Sequence, residues 1–389
     1  MKNFINFELK AALLVEGIAV EQPAMEGVGA DFKEQNHGLF GWDFKNHQGI
    51  AFPDDFTLSD GTVVQFRYNP DSPYKMVKQN GTRSIVKGEA QLDAITLIPR
   101  PLYYDKQTRN GVTMRKIAQI GGEDCFFICY NNYCSHFSKK TECAFCNLVS
   151  TQKAYNSVVT KKKIDDMVET AVAAFAEGNY NHILLTGGCS SKQKEIDVVT
   201  NIVEGIRDAL RTDRVPGTVL PSATIDEKHI RRYHETGIGA IGYSMEIWDE
   251  AFYRAICPGK ARSTSHDTYF DAIKIAVKIF GAGNVYAVFV MGLEPRDKLL
   301  EGIQALYDIG ANVVPFVWSP NPGSRFEGHR APFAKWYTET TMQAAEVVVK
   351  SGVPLGDENH CYRCDGNSLL HDAVRLLRNN PSDHDCGQA

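Results

Sequence analysis

The chain has 389 residues, 43% of them apolar and 23% charged, with a formal net charge of −5 at neutral pH. This is ordinary globular composition, which excludes disorder as the default and leaves room for one large α/β barrel of roughly 200–250 residues with appendages. The acidic balance and a single short basic run, Lys161 to Lys163, give no electrostatic footprint for nucleic acid, and no apolar stretch approaches the ~18 residues of a membrane span.

Residues 1–15 lack the basic start, apolar run and small-residue cleavage site of a secretory signal. A cytoplasmic location is therefore expected, where thiols stay reduced. Ten cysteines in such a setting read as a metal or redox site before a disulfide framework.

In chain order, an amphipathic helix is expected near the start, followed by Gly-rich chain to about residue 50. Between residues 51 and 97, short alternating runs such as Thr62-Val63-Val64-Gln65-Phe66-Arg67-Tyr68 are separated by Ser-Asp-Gly, Asn-Pro-Asp and Asn-Gly turns, the pattern of a small antiparallel β region. After Pro101, apolar strand runs alternate with helical patterns, which signals βα units on a parallel sheet. The expected strands are Phe126–Tyr130, His182–Thr186, Thr218–Leu220, Ala240–Glu246, Val285–Met291 and Asn312–Trp318. Helices are expected near residues 163–177, 193–211, 226–235, 266–280, 297–309 and 335–351. In the first of these Ile164, Met167, Val168, Ala171, Val172 and Phe175 recur at helical spacing. The predicted fold class is α/β, a six-stranded (β/α)6 partial TIM barrel. It divides as residues 1–108, an N-terminal extension with the small β region; residues 109–355, the barrel; and residues 356–389, a Cys-containing tail.

In such barrels chemistry sits at the carboxyl ends of the strands. The first strand runs into Cys134-Ser-His-Phe-Ser-Lys-Lys-Thr-Glu-Cys143-Ala-Phe-Cys146, three thiols in one loop. Three cysteine ligands leave one iron of a 4Fe–4S cluster open. A structural zinc site is the alternative, with His136 or Cys129 as fourth ligand; Cys129 is also an alternative first cluster ligand. The second strand ends in Thr186-Gly187-Gly188, where paired glycines allow a close approach to the backbone. The fourth ends in Glu246, with Arg254, Lys260 and Arg262 in the following loop; a carboxylate and a cation suit the ammonium and carboxylate of an amino acid. The fifth ends in Val290-Met291-Gly292-Leu293-Glu294.

These motifs, in this order, resemble the radical S-adenosylmethionine superfamily, and within it the biotin-synthase-like group with its hydrogenase-maturation and methylornithine-synthase enzymes. The resemblance covers roughly residues 110–355. It implies a 4Fe–4S cluster on Cys134, Cys143 and Cys146, with Phe145 as the aromatic before the last cysteine. It further implies S-adenosylmethionine held by Thr186, Gly187 and Gly188 at its amino group, by Glu246, by Arg262 at its carboxylate, and near its adenine by Val290, Met291, Gly292 and Glu294. The last element matches loosely, since one residue separates the glycine from the glutamate. The cysteine spacing departs from the usual three and two residues, being eight and then two. An oxygen-sensitive enzyme is implied, served by a reductant such as flavodoxin or ferredoxin and acting on a small-molecule substrate, with no nucleic acid or membrane partner. Tyr243, Trp248, Tyr286, Trp318 and Ser319 are substrate-lining candidates.

Cys361-Tyr-Arg-Cys364 is a second metal-like element, with Cys386, His360 and Cys257 as available partners. Three readings follow. The first is a radical enzyme that rearranges, cleaves or joins carbon bonds with one cluster. The second adds sulfur insertion or another group transfer through an auxiliary cluster, or a zinc, at Cys361 and Cys364. The third is a zinc-stabilised barrel that binds a partner without redox chemistry.

Overall fold

A computed structural model describes residues 2–35, 50–154, 161–356, 358–360 and 366–378. Strands buried on both faces must be apolar throughout, and parallel strands need a crossover helix between them. Both demands are met by the larger of two sheets. Its six parallel strands are Cys125–Asn131, His182–Gly187, Val215–Val219, Ile238–Glu246, Val285–Met291 and Asn312–Val317, each beside its sequence neighbour. A short strand, Gln119–Gly121, pairs antiparallel with the first of them. The sheet is open, with Gln119–Gly121 at one edge and Asn312–Val317 at the other, so the fold is an α/β half-barrel.

The crossover helices Ile164–Phe175, Lys192–Leu210, Glu227–Glu235, His266–Phe280, Arg296–Asp308 and Ala334–Ser351 fall where their periodicity places them. Met167, Ala171 and Ala174 of the first are buried, and Val168 fills the space that a side chain at Gly205 of the second would need. Asp165 and Asp166 in its first turn suit the helix dipole. Ser265 caps His266–Phe280 by accepting the Thr268 N–H. No helix among the described residues is long and apolar enough to cross a membrane.

The smaller sheet runs Ala19–Val20, Tyr74–Gln79, Thr82–Lys87, Ala90–Leu97, Asp55–Leu58, Val63–Gln65 in spatial order. It is antiparallel apart from the first pair, which is parallel. The buried Arg67 joins the two sheets, donating to the Leu14 carbonyl at 2.6 Å and to the Val317 carbonyl at 2.8 Å. Burial lowers its pKa to about 10. At the amino ends of the barrel strands, the chain before His360 forms a plug. Tyr286 donates to the Gly356 carbonyl at 3.1 Å, Asn312 to the Leu355 carbonyl at 3.0 Å, and Thr218 to the Asn359 carbonyl at 3.0 Å. Ala240, Tyr286, Val288 and Val314 pack above it. The barrel is therefore closed below and has its cavity at the carboxyl ends of the strands.

Candidate functional site

A cavity of about 300 Å³ opens at those carboxyl ends. Its walls include Cys134, Cys143 and Cys146, the Thr186–Gly188 turn, and Glu246 with Lys260. The glycine pair has a steric reason to be there: a side chain at Gly187 would meet the Tyr130 ring at 2.8 Å, and one at Gly188 the Tyr133 carbonyl oxygen at 2.3 Å and the Cys134 Cβ at 2.9 Å. Asn131 ties the two loops by donating to the Gly188 carbonyl at 3.0 Å, while the Gly188 N–H donates to the Asn131 carbonyl at 2.8 Å. The second strand thereby holds the cysteine loop in place.

The eight-residue first gap makes a helical turn, Ser135–Ser138, and a left-handed Lys140 at φ 52°. This turn docks on the excursion after the fourth strand, which forms two short helices, Glu250–Ile256 and Pro258–Ser263. The Gly259 N–H donates to the Thr141 carbonyl at 2.9 Å and the Ala144 N–H to the Ile256 carbonyl at 2.8 Å. A Cβ at Gly259 would lie 2.3 Å from both His136 Nδ1 and the Thr141 oxygen. Gly259→Ala is therefore expected to cost about 1–3 kcal/mol by overpacking and to loosen the cysteine loop. Calorimetry of the variant, with its iron content, checks this.

Glu246 sits at φ 71°, left-handed backbone that side chains rarely adopt, at a register shift between the fourth and fifth strands. A bulge next to a site re-aims a side chain, and here the carboxylate turns into the cavity. Lys260 donates to it at 2.5 Å and to the Ser244 carbonyl at 3.0 Å. Burial works to lower the Lys260 pKa, but the Glu246 charge overrides it and the net shift is upward.

Two further thiols flank the cysteine loop. The Ser135 N–H donates to the Cys189 carbonyl at 3.0 Å, and the Cys189 thiol, donating a hydrogen bond to the Cys134 sulfur, holds the Cys134 pKa down at about 5. Cys257 lies against Cys143 in the same way, and that bond, then burial, raises its own pKa. Cys146 is pushed up to about 12 by burial and by the neighbouring Cys143. Burial lowers the His136 pKa.

Several expected residues lie elsewhere. Arg262 is exposed, while Lys260, two residues earlier, faces the cavity. Tyr243 faces away from it, because Ser244 and Glu246 on the same strand face in. Trp248 packs on Gly302 and crosses the His266 ring at 4.6 Å. Tyr286 belongs to the plug. Trp318 meets Phe326 at 5.8 Å, and Ser319 donates to Asn321 at 2.9 Å. Val290 shares its strand's inner face with Val288, Met291 accepts from Thr341 at 3.8 Å, and a side chain at Gly292 would strike the Tyr337 hydroxyl. Glu294 accepts the N–H groups of Trp248 and Asp249, at 3.0 and 2.7 Å, and burial pushes its pKa to about 7. It braces the loop after the fourth strand. Cys361, Cys364 and Cys386 lie outside the described residues. Cavity residues that sequence reasoning did not single out include Lys162, Gln119, Glu142, Gln152 and Lys260 in its facing role.

The thiols fit an iron–sulfur cluster. Among the described residues no three His, Cys, Asp or Glu side chains converge as they would around a single ion. Cys134, Cys143 and Cys146, together with Cys129 and Cys189, border one cavity, a thiol-rich wall of the kind that suits a cluster.

No family model matches the chain. It is 26% identical over 251 residues to the bacteriochlorophyllide c C-7(1)-hydroxylase of Chlorobaculum limnaeum, a match covering 60% of this chain and 62% of that one. Over 192 residues it is 28% identical to a biotin synthase of Citrifermentans bemidjiense, covering 48% of this chain and 54% of the relative. The chain thus spans less than two thirds of the length of these curated relatives. The crystal structure of methylornithine synthase matches with a TM-score of 0.43 at 14% identity, covering 70% of this chain and 78% of that one.

Fold and site together define an α/β half-barrel protein with a thiol-lined cavity at its strand ends. In sequence it is similar to enzymes of the radical S-adenosylmethionine superfamily, biotin synthases among them.

Proposed function

We propose that this chain is a radical S-adenosylmethionine enzyme acting on a small molecule. The observation that carries the reading is that the three cysteines, the Thr186–Gly188 turn and the Glu246–Lys260 pair line one cavity. Cys134, Cys143 and Cys146 would hold a 4Fe–4S cluster, with Phe145 beside the last ligand. Such a cluster, with S-adenosylmethionine on its open iron and an electron from a flavodoxin or ferredoxin, supplies a 5′-deoxyadenosyl radical that takes hydrogen from the substrate.

The protein's own part is orientation and charge. Backbone oxygens of Thr186, Gly187 and Gly188 suit the methionyl ammonium. Lys260, two residues from Arg262, is the cation that reaches the cavity, so it is assigned to the methionyl carboxylate, and Glu246 to the cofactor. Glu294 and Gly292 fix the neighbouring loops. The overall reaction is a rearrangement, cleavage or joining of carbon bonds within a (β/α)6 partial barrel spanning residues 109–355.

Metal analysis of anaerobically purified protein tests this. About four irons per chain are expected from one cluster. A colourless zinc protein would overturn it, and about six to eight irons would add an auxiliary cluster.

A further inference from the structure

The first parallel strand presents Phe127 and Cys129 to the cavity. Beyond the short Gln119–Gly121 strand at its free edge, the chain returns at Lys161, which bridges Asn131. The next residue, Lys162, sends its ammonium back over that edge, donates to the Cys129 carbonyl at 2.8 Å, and lines the cavity. This is the only hydrogen bond of the Lys162 side chain among the described residues, and no carboxylate there pairs with it. Burial, acting on a cation without a counter-ion, lowers its pKa to about 8.

An ammonium has three donors, of which one is used, and buried charges are ordinarily paired. A second orphan lies in the same wall. Gln152, on the helix Leu148–Ala154, has its side-chain nitrogen buried without an acceptor. Phe127, Phe137, Phe145 and Leu148 make the adjoining surface apolar. The Glu246–Lys260 pair is internally neutral, and the wall's other charged side chains, Lys162 and Glu142, form no ion pair with each other among the described residues, so the Lys162 ammonium has no counter-ion there.

We propose that Lys162, assisted by Gln152, seats a carboxylate of the substrate, and that the substrate is a small carboxylic acid with an apolar body. This rests on the cavity being the reaction chamber. A carboxylate could come from the substrate or from the methionyl group, so the test separates them.

Binding of hexanoate, hexan-1-ol and S-adenosylmethionine is measured by calorimetry under anaerobic conditions on native protein, Lys162→Met, Lys162→Arg and Gln152→Ala. Hexanoate is expected to bind, and hexan-1-ol to bind at least about tenfold more weakly, because charge-assisted bonds are the strong ones. Lys162→Met should weaken hexanoate about tenfold or more, Lys162→Arg much less, and Gln152→Ala by about threefold. Affinity for S-adenosylmethionine should stay within about threefold throughout. Equal binding of acid and alcohol, or unchanged hexanoate binding in Lys162→Met and Gln152→Ala, overturns the proposal. So does a loss confined to S-adenosylmethionine, which would assign Lys162 to the cofactor. Should Lys162→Met fail to fold, Lys162→Arg and Gln152→Ala decide the matter. The hexanoate readings do not depend on iron, so a metal-free protein would defeat the cofactor reading and leave this one separately tested.

Discussion

Cys143→Ala is expected to lose most of its iron and to produce at least about a hundredfold less 5′-deoxyadenosine than the native protein. Loss of an outer partner of a metal ligand commonly costs 10–100-fold, and loss of a ligand itself should cost no less. Cys143 is buried at the cavity wall, with Cys257 behind it and Cys146 beside it, so solvent has poor access to replace the missing thiolate. Cys134→Ser should behave alike. Cys129→Ser should keep its iron, because the Cys129 thiol already donates to the Asn131 carbonyl at 3.6 Å from within the strand. Cys125→Ala, in a buried residue that does not line the cavity, is the control for folding. Iron retained in Cys134→Ser and lost in Cys129→Ser would move the first ligand to Cys129.

The second large effect is at Lys260. Lys260→Met leaves the Glu246 carboxylate facing the cavity without its cation, with side-chain exposures of 12% and 11% for the two partners. Removing one member of a buried pair costs about 3–5 kcal/mol, and the residual exposure places this case near the lower end. The variant should also lose binding of S-adenosylmethionine. Lys260→Met combined with Glu246→Gln should regain much of the stability but none of the binding, which separates the structural from the functional effect. Because the Lys260 pKa is raised on folding, its stabilising contribution is complete below the ordinary lysine pKa and is lost only as pH rises through the raised value. Denaturant unfolding near neutrality is the appropriate measurement.

The barrel was legible because strands buried on both faces must be apolar. Val285–Met291 is bounded as its run predicts, and the other strands differ mostly at their ends. The third differs most, Val215–Val219 against an expected Thr218–Leu220, because Pro216 and Gly217 interrupt its apolar pattern. Glu250–Ile256 and Pro258–Ser263 escaped notice because helices of six or seven residues carry too little periodicity. That gap explains the choice of Arg262 over Lys260: in a helix, residues two apart point to different faces, and without the helix nothing told them apart. Lys162 was read as one solvated residue of a basic run. Its reach around the sheet edge depends on the pairing of Lys161 with Asn131, a long-range fact absent from local pattern. The aromatic candidates do not line the cavity; composition marks an aromatic ring but not the face it occupies. The cysteine loop, the glycine pair and Glu246 could be picked out because their residue types stand at strand ends, and the fold brings them to the wall of one cavity.

The most direct test is to reduce anaerobically prepared, iron-replete protein in the presence of S-adenosylmethionine and to quantify 5′-deoxyadenosine by mass spectrometry. Formation of 5′-deoxyadenosine that depends on the reductant, and that vanishes in Cys143→Ala, is the expected result. A fully iron-loaded protein that yields none, or a yield unaffected by loss of Cys143, would contradict the assignment of the cavity.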